Sequence, residues 1–168
     1  AILCSGAWSN QVFQSIPIFP VKGQMMSLQG PKEALKRIVF GPNTYLVPRE
    51  DGLTVIGATS EREAGFDEGL TPSGQQELHT GINELVPSAN QWPQMERWWG
   101  FRPCTPDEGP ILGASNLKGL WLATGHYRNG VLLAAITAKL LTKCICKDCL
   151  DGEERAILQS FNWNRFKA

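Results

Sequence analysis

Long apolar runs are missing from this sequence. No stretch reaches the roughly 18 uninterrupted apolar residues of a membrane-spanning helix, so the chain is not expected to cross a bilayer. An excess of either charge is missing too: 16 Lys and Arg stand against 16 Asp and Glu, for a formal net charge of zero. With no basic patch interleaved with aromatic residues, nucleic acid and acidic membrane surfaces gain no support as partners. Histidine is scarce, with only His79, read as a surface residue of a helix, and His126. Imidazole-based metal sites therefore have little to draw on. Two signature loops are absent as well, the G-x-G-x-x-G of dinucleotide binding and the G-x-S-x-G nucleophile elbow. Nothing points to hydrolase chemistry.

Cysteine is present in an odd number, five, with Cys144, Cys146 and Cys149 crowded near one end. That pattern argues against a disulfide framework and for a reducing compartment, the cytoplasm by default. No second cluster with ligand spacing accompanies it, so the thiols are read as free groups at a helix end and no metal is expected. The opening Ala1-Ile2-Leu3-Cys4 has neither the basic flank nor the long apolar core of a secretory signal, and reads as a strand cut from something longer.

What is there fits a globular domain: 168 residues, 42% apolar and 19% charged, enough for one domain with a sizeable core. A short buried strand starts at Ala1. The run from Ile16 to Leu28 carries Pro17 and Pro20, which exclude helix and suggest an edge or bulged strand. Tyr45-Leu46-Val47 and Leu53-Thr54-Val55-Ile56 flank Asp51-Gly52, favoured chemistry for a type I′ hairpin, with Tyr45, Val47 and Arg49 on one face. A helix begins after Thr71, with Pro72 in its first turn, Leu78, Ile82, Leu85 and Val86 at helical spacing, and Pro87 as its stop. Arg97 to Arg102 reads as a strand, Pro103 to Gly113 as irregular, Leu120 to Thr124 as an apolar strand, and Val131 to about Cys146 as a strongly apolar helix.

Between those last two segments, which both look buried, stands Gly125-His126-Tyr127-Arg128-Asn129-Gly130. Four bulky polar side chains at such a corner are costly to desolvate without partners. A strand, a glycine-bounded turn and a helix N-terminus present free backbone amides to an electron-rich guest. It is not a phosphate-binding P-loop, because Val131-Leu132 stands where Lys and Ser or Thr are required. The plainer alternative is a turn made by Asn129-Gly130 with rings packed around it. Arg102, between Phe101 and Pro103, suits a bidentate carboxylate clamp, or an internal salt bridge to Asp107 or Glu108.

Taken together, five ordered motifs are recognisable: Gly23-Gln24-Met25-Met26; Tyr45 to Arg49 with Asp51-Gly52; Gly57-Ala58-Thr59 with Glu61 and Gly65-Phe66-Asp67; Gly100-Phe101-Arg102-Pro103 with Thr105-Pro106-Asp107; and Gly125 to Gly130. Over nearly its whole length the chain resembles the C-terminal half of the glycine oxidases, flavoenzymes of thiamine biosynthesis within the D-amino acid oxidase family. The resemblance implies an α+β fold: an antiparallel or mixed sheet forming a substrate domain flanked by helices, ending in a strand-turn-helix that faces the flavin. It implies one substrate-binding domain over residues 1–168, without the family's N-terminal FAD-binding Rossmann part.

The resemblance further implies FAD as cofactor, with glycine or another small amine acid oxidatively deaminated, to glyoxylate, ammonia and hydrogen peroxide in the case of glycine, and molecular oxygen consumed. On that likeness Arg102 and Tyr45 hold the substrate carboxylate, Arg128 lies near the substrate, and His126, Tyr127, Arg128, Asn129, Gly130, Val131 and Leu132 lie against the flavin. The expected partners are the FAD-binding half and a possible second copy of the chain. Ser60 stands where some relatives place a larger apolar residue near the substrate, and Asn43 is a variable pocket position, which leaves the choice of amine open. Another amino acid oxidase or dehydrogenase of the family, or a non-catalytic binding module, are the alternatives.

Overall fold

The computed structural model describes residues 1–166. In chain order it contains β1 (Ile2–Leu3), α1 (Ser9–Val12), β2 (Phe19–Gln29), β3 (Val39–Phe40), β4 (Tyr45–Pro48), β5 (Leu53–Gly57), α2 (Pro72–Leu85), β6 (Gln94–Cys104), β7 (Ile111–Ala114), β8 (Trp121–Thr124), α3 (Gly130–Cys146) and α4 (Gly152–Ser160). The expected α+β class is what the structure has, with two sheets and helices. The chain divides into two compact units, Val21–Phe101 and the discontinuous pair Ala1–Pro20 with Arg102–Ala168.

The Val21–Phe101 unit holds a five-stranded sheet in the order β3-β4-β5-β2-β6. β4 and β5 pair antiparallel, Tyr45 opposite Gly57 and Leu46 opposite Ile56, and β5 pairs antiparallel with β2, Ile56 opposite Met26. Strand alternation puts Met26, Leu28, Leu46 and Ile56 on one face, where Leu78 and Ile82 of α2 cover them to make a fully buried core with Ala89. α2 starts as its sequence says. Thr71 Oγ1 accepts the Gly74 amide at 3.1 Å, Pro72 occupies the first turn, and Val86 ends the helix before Pro87.

Two local expectations for this unit are corrected. β2 is an interior strand rather than an edge, because Pro20 stands at its second residue, outside the Met26–Gln29 span that pairs with β5. The hairpin is not type I′, which needs positive φ at both central residues. Only Gly52 has it, at +90°, and the bond closing the turn runs from the Gly52 amide to the Arg49 carbonyl at 3.1 Å, so Gly52 is the left-handed residue that follows a turn through Glu50 and Asp51.

In the discontinuous unit the sheet is β1-β8-β7, with β1 parallel and β7 antiparallel to β8. Its core gathers Leu3, Ile16, Ile18, Ile111, Leu122 and Trp163. The segment expected to be irregular is shorter than Pro103 to Gly113, since Pro103 and Cys104 extend β6 and Ile111 begins β7. The largest difference concerns α3. It forms over the expected residues, but of its apolar run only Leu140 and Leu141 are buried, together with Thr137, while Val131 and Leu132 are 96% and 79% exposed. Continuous hydrophobicity suggested burial on all sides; the sheet of this unit covers only a narrow stripe. Its other end is tied down by Glu154 at the start of α4, whose carboxylate accepts both Lys143 contacts at 2.6 and 2.7 Å and completes a capping box with Asp151. The Lys143 ammonium holds Glu154 down to about 2.

Candidate functional site

The corner after β8 is built by two left-handed residues, Gly125 at φ +76° and Tyr127 at φ +48°. Gly125 is required by space as well, because a Cβ there would meet Thr105 Cγ2 at 2.8 Å. The reversal is fastened by three backbone bonds: the Tyr127 amide donates to the Pro103 carbonyl at 2.8 Å, the Asn129 amide to His126 at 2.9 Å, and the Leu133 amide to Asn129 at 2.9 Å. Asn129 takes the N-cap position of α3, yet its side chain makes no capping bond. The first-turn amides thus lack the partner that Thr71 supplies to α2, and they sit beside the exposed Gly130, Val131 and Leu132.

His126 Nε2 lies 3.0 Å from Thr137 Oγ1, about two turns along α3. Burial pushes its pKa below the ordinary histidine value, which favours the neutral imidazole. The Arg128 guanidinium stacks over the Tyr127 ring at 5.1 Å. Beside the corner, a cavity of about 350 Å³ is walled by Ile2, Ala123, His126, Ala134, Thr137 and Leu141.

Arg102 precedes Pro103 in β6, so the Tyr127 to Pro103 bond brings the half-buried Arg102 and the corner together in one unit. Asp107, one of the two salt-bridge partners considered for Arg102, is held by a residue of the tail: Arg165 Nε donates to its Oδ2 at 2.7 Å and Nη2 to its Oδ1 at 3.1 Å. Those bonds lower the Asp107 pKa to about 2. Thr105-Pro106-Asp107 is therefore a structural clasp, with Thr105 Oγ1 also donating to the Gly109 carbonyl at 2.7 Å.

Tyr45 belongs to the Val21–Phe101 unit and lies on the sheet face opposite α2, with Val47, as alternation requires. It is half-buried, its ring 5.7 Å from that of Phe40. Next to it, Thr59 and Glu61 hydrogen-bond each other and are pinned to β2, since the Gln24 amide donates to Thr59 Oγ1 at 2.8 Å and Gln24 Nε2 to Glu61 Oε1 at 2.9 Å and to Thr71 Oγ1 at 2.7 Å. Ser60 and Asn43 are exposed. Phe66 and Trp99 both meet Phe101 edge-on at 5.2 Å, an aromatic brace just before Arg102. Sequence reasoning missed Thr137 and Arg165, and placed Gly57 in a motif without a role of its own. Thr137 and Arg165 act through pairings 11 and 58 residues apart, which leave no local pattern.

Residues 1–144 match the family described as FAD dependent oxidoreductase. The chain is 46% identical to the bifunctional protein ThiO/ThiG of Trichormus variabilis, covering 99% of this chain and 25% of that protein. It is 37% identical to a glycine oxidase of Pseudomonas aeruginosa, covering 93% and 43% respectively. The crystal structure of glycine oxidase from Geobacillus kaustophilus superposes with a TM-score of 0.87 at 31% identity, over 99% of this chain and 45% of that one. The chain thus spans a quarter to less than half of the length of these relatives.

Proposed function

We infer the activity of this chain from one premise: it belongs to the FAD dependent oxidoreductase family, the D-amino acid oxidases. On our reading it is the substrate-binding, C-terminal part of a glycine oxidase, which converts glycine, water and oxygen to glyoxylate, ammonia and hydrogen peroxide to feed thiamine synthesis in the cytoplasm. The observation that carries this reading is the corner itself, an uncapped helix N-terminus held by backbone bonds against the strand end that bears Arg102.

These residues suit a flavin. The first-turn amides of α3 are free of a side-chain cap, and exposed Val131 and Leu132 offer apolar surface beside them. His126, Tyr127, Arg128, Asn129, Gly130, Val131 and Leu132 would hold the ring system, with the helix dipole favouring the negative charge that builds on reduction. When bound, FAD supplies the acceptor for the two electrons and the hydrogen that leave the substrate Cα. The chain's own residues bind and aim. Arg102 is the candidate for gripping a substrate carboxylate through two parallel hydrogen bonds, Arg128 adds positive charge in the same unit, and Tyr45 is a candidate hydroxyl donor to a substrate carboxylate. The substrate amine enters neutral, and neutral His126 adds no cationic repulsion. Fixing the Cα–H direction is the main task left to the protein.

The FAD-binding half of such an enzyme, on this reading, covers the apolar surface that α3 exposes. An isolated chain is then expected to self-associate, whereas a well-behaved monomer would favour an independent binding module. The activity is tested by the visible spectrum of the protein with FAD, recorded before and after anaerobic glycine. Bound flavin bleached by glycine supports the assignment, while bound flavin indifferent to glycine but bleached by another small amine acid moves it to a sister oxidase. Arg102→Ala is expected to weaken substrate binding by about 2 to 3 kcal/mol, the worth of a lost charge-assisted hydrogen bond. An unchanged binding constant in folded enzyme removes Arg102 from the clamp.

A further inference from the structure

At the end of β5 the sheet leaves no room for a side chain. Gly57 is paired directly with Tyr45, and a Cβ placed on it would stand 2.5 Å from the Tyr45 hydroxyl oxygen, 2.6 Å from its Cζ and 2.9 Å from Met25 Cε. Carbon atoms in contact rest at about 3.5 to 4.0 Å. The phenol therefore leans across bare Gly57 backbone, and Met25 of β2 reaches the same point from the neighbouring strand. Phe40 of β3 adds a third wall, its ring tilted 41° to that of Tyr45. Gly57 is not among the glycines with positive φ, so the close approach of Tyr45 and Met25 is what bars a side chain there.

We propose that Gly57, backed by Met25, is a positioning residue: it seats the Tyr45 hydroxyl in a fixed slot and so determines where the substrate carboxylate is received. This rests on the reading of Tyr45 as a carboxylate donor. A phenol held on three sides has its hydrogen-bond direction set before substrate arrives, and a donor aimed in advance loses little freedom on binding. Alanine at position 57 forces the ring out by roughly 1 Å to restore normal contact distances, enough to spoil a hydrogen bond from its hydroxyl to a carboxylate. Valine or leucine there excludes the present seat altogether.

The chain has two tyrosines, Tyr45 and Tyr127, so fluorine NMR of the protein labelled with 3-fluorotyrosine reads the seat directly. Gly57→Ala is expected to move the Tyr45 resonance, assigned by its loss in Tyr45→Phe, and to leave that of Tyr127 in place; an unmoved Tyr45 signal overturns the proposal. In the flavin-loaded protein, Gly57→Ala and Tyr45→Phe should each raise KM for glycine and the inhibition constant of acetate roughly ten- to a hundredfold. kcat should stay within about twofold, the mark of lost uniform binding. The double variant should be no worse than Tyr45→Phe. Additive losses place the effect of Gly57 elsewhere and overturn the proposal, as does a wild-type KM for Gly57→Ala beside an impaired Tyr45→Phe. Wild-type behaviour of Tyr45→Phe itself removes the parent reading instead. Should Gly57→Ala fail to fold, Met25→Ala takes away the second wall. It is expected to broaden or shift the Tyr45 signal and raise KM in the same direction, and no change in either sinks the slot.

Discussion

α2 and α3 begin in opposite ways. At the start of α2 side chains answer the backbone: Thr71 caps the Gly74 amide, Gln24 donates to that cap, and Pro72 removes an amide that would need a partner. Its apolar stripe is narrow, and Leu78 and Ile82 are both fully buried. α3 is far more apolar, yet it opens without a side-chain cap and exposes Val131 and Leu132. Hydrophobicity thus tells how much surface a helix offers for burial, and the surrounding strands decide how much is covered. One helix is complete within its unit; the other keeps its first turn and its apolar side available.

The contrast breaks most visibly at the α2 core. Ile82→Ala should cost about 2 to 5 kcal/mol in denaturant unfolding, because the methyl groups it removes leave a cavity among Met26, Leu46 and Ile56. Thr71→Ala should cost about 1 to 2 kcal/mol by the same measurement, since it deletes the cap and orphans a Gln24 donor. A loss below the scatter of the assay would mean that α2 is no better finished than α3.

The next effect is one of pH. Burial lowers the folded-state pKa of His126, so the unfolded chain takes up its proton first. Stability is present above about 6.5 and falls as pH drops through that value toward the folded pKa. His126→Gln should flatten that part of the stability profile. A separate acid limb follows from Asp107 and Glu154, both held at about 2 in the fold. Their contribution is complete above the ordinary carboxylate range and is lost as pH falls from about 4 toward 2. Smallest of all, Asn129→Ala and Leu132→Ser should each change the unfolding free energy of this chain by less than about 0.5 kcal/mol. On the proposed function, Leu132→Ser should nevertheless weaken FAD retention, so a variant neutral in both assays would remove α3 from the flavin site.

How much could be read beforehand follows the range of the interactions. The whole of α2 was legible because its cap, first-turn proline, apolar repeat and stop are local. The turn at Asp51-Gly52 was legible as a turn, but its type depends on the Arg49 to Leu53 pairing, which only the assembled strands define. The interior place of β2 depends on neighbours formed by distant segments, and prolines alone pointed the wrong way. At the corner, the glycines and the helix start were readable. The positive φ of Tyr127, its bond to Pro103 and the contact between His126 and Thr137 arise from tertiary packing. Likewise no local pattern announces that Gly57 is small because Tyr45 lies over it.

The pairing of β1 with β8 matches Leu3 to Leu122, and this bears on how the polypeptide is made. The Val21–Phe101 unit is one continuous piece lying between those partners. During synthesis it emerges whole and closes through contacts within its own span, while the opening strand waits for a mate more than a hundred residues downstream. We expect assembly from the inside out: the inserted unit folds first, and by bringing its own two ends together it shortens the effective loop that β1 and β8 must close. A nascent chain arrested once Phe101 has cleared the ribosomal tunnel should already protect the amides of β4 and β5, with those of Ile2 and Leu3 still open to exchange.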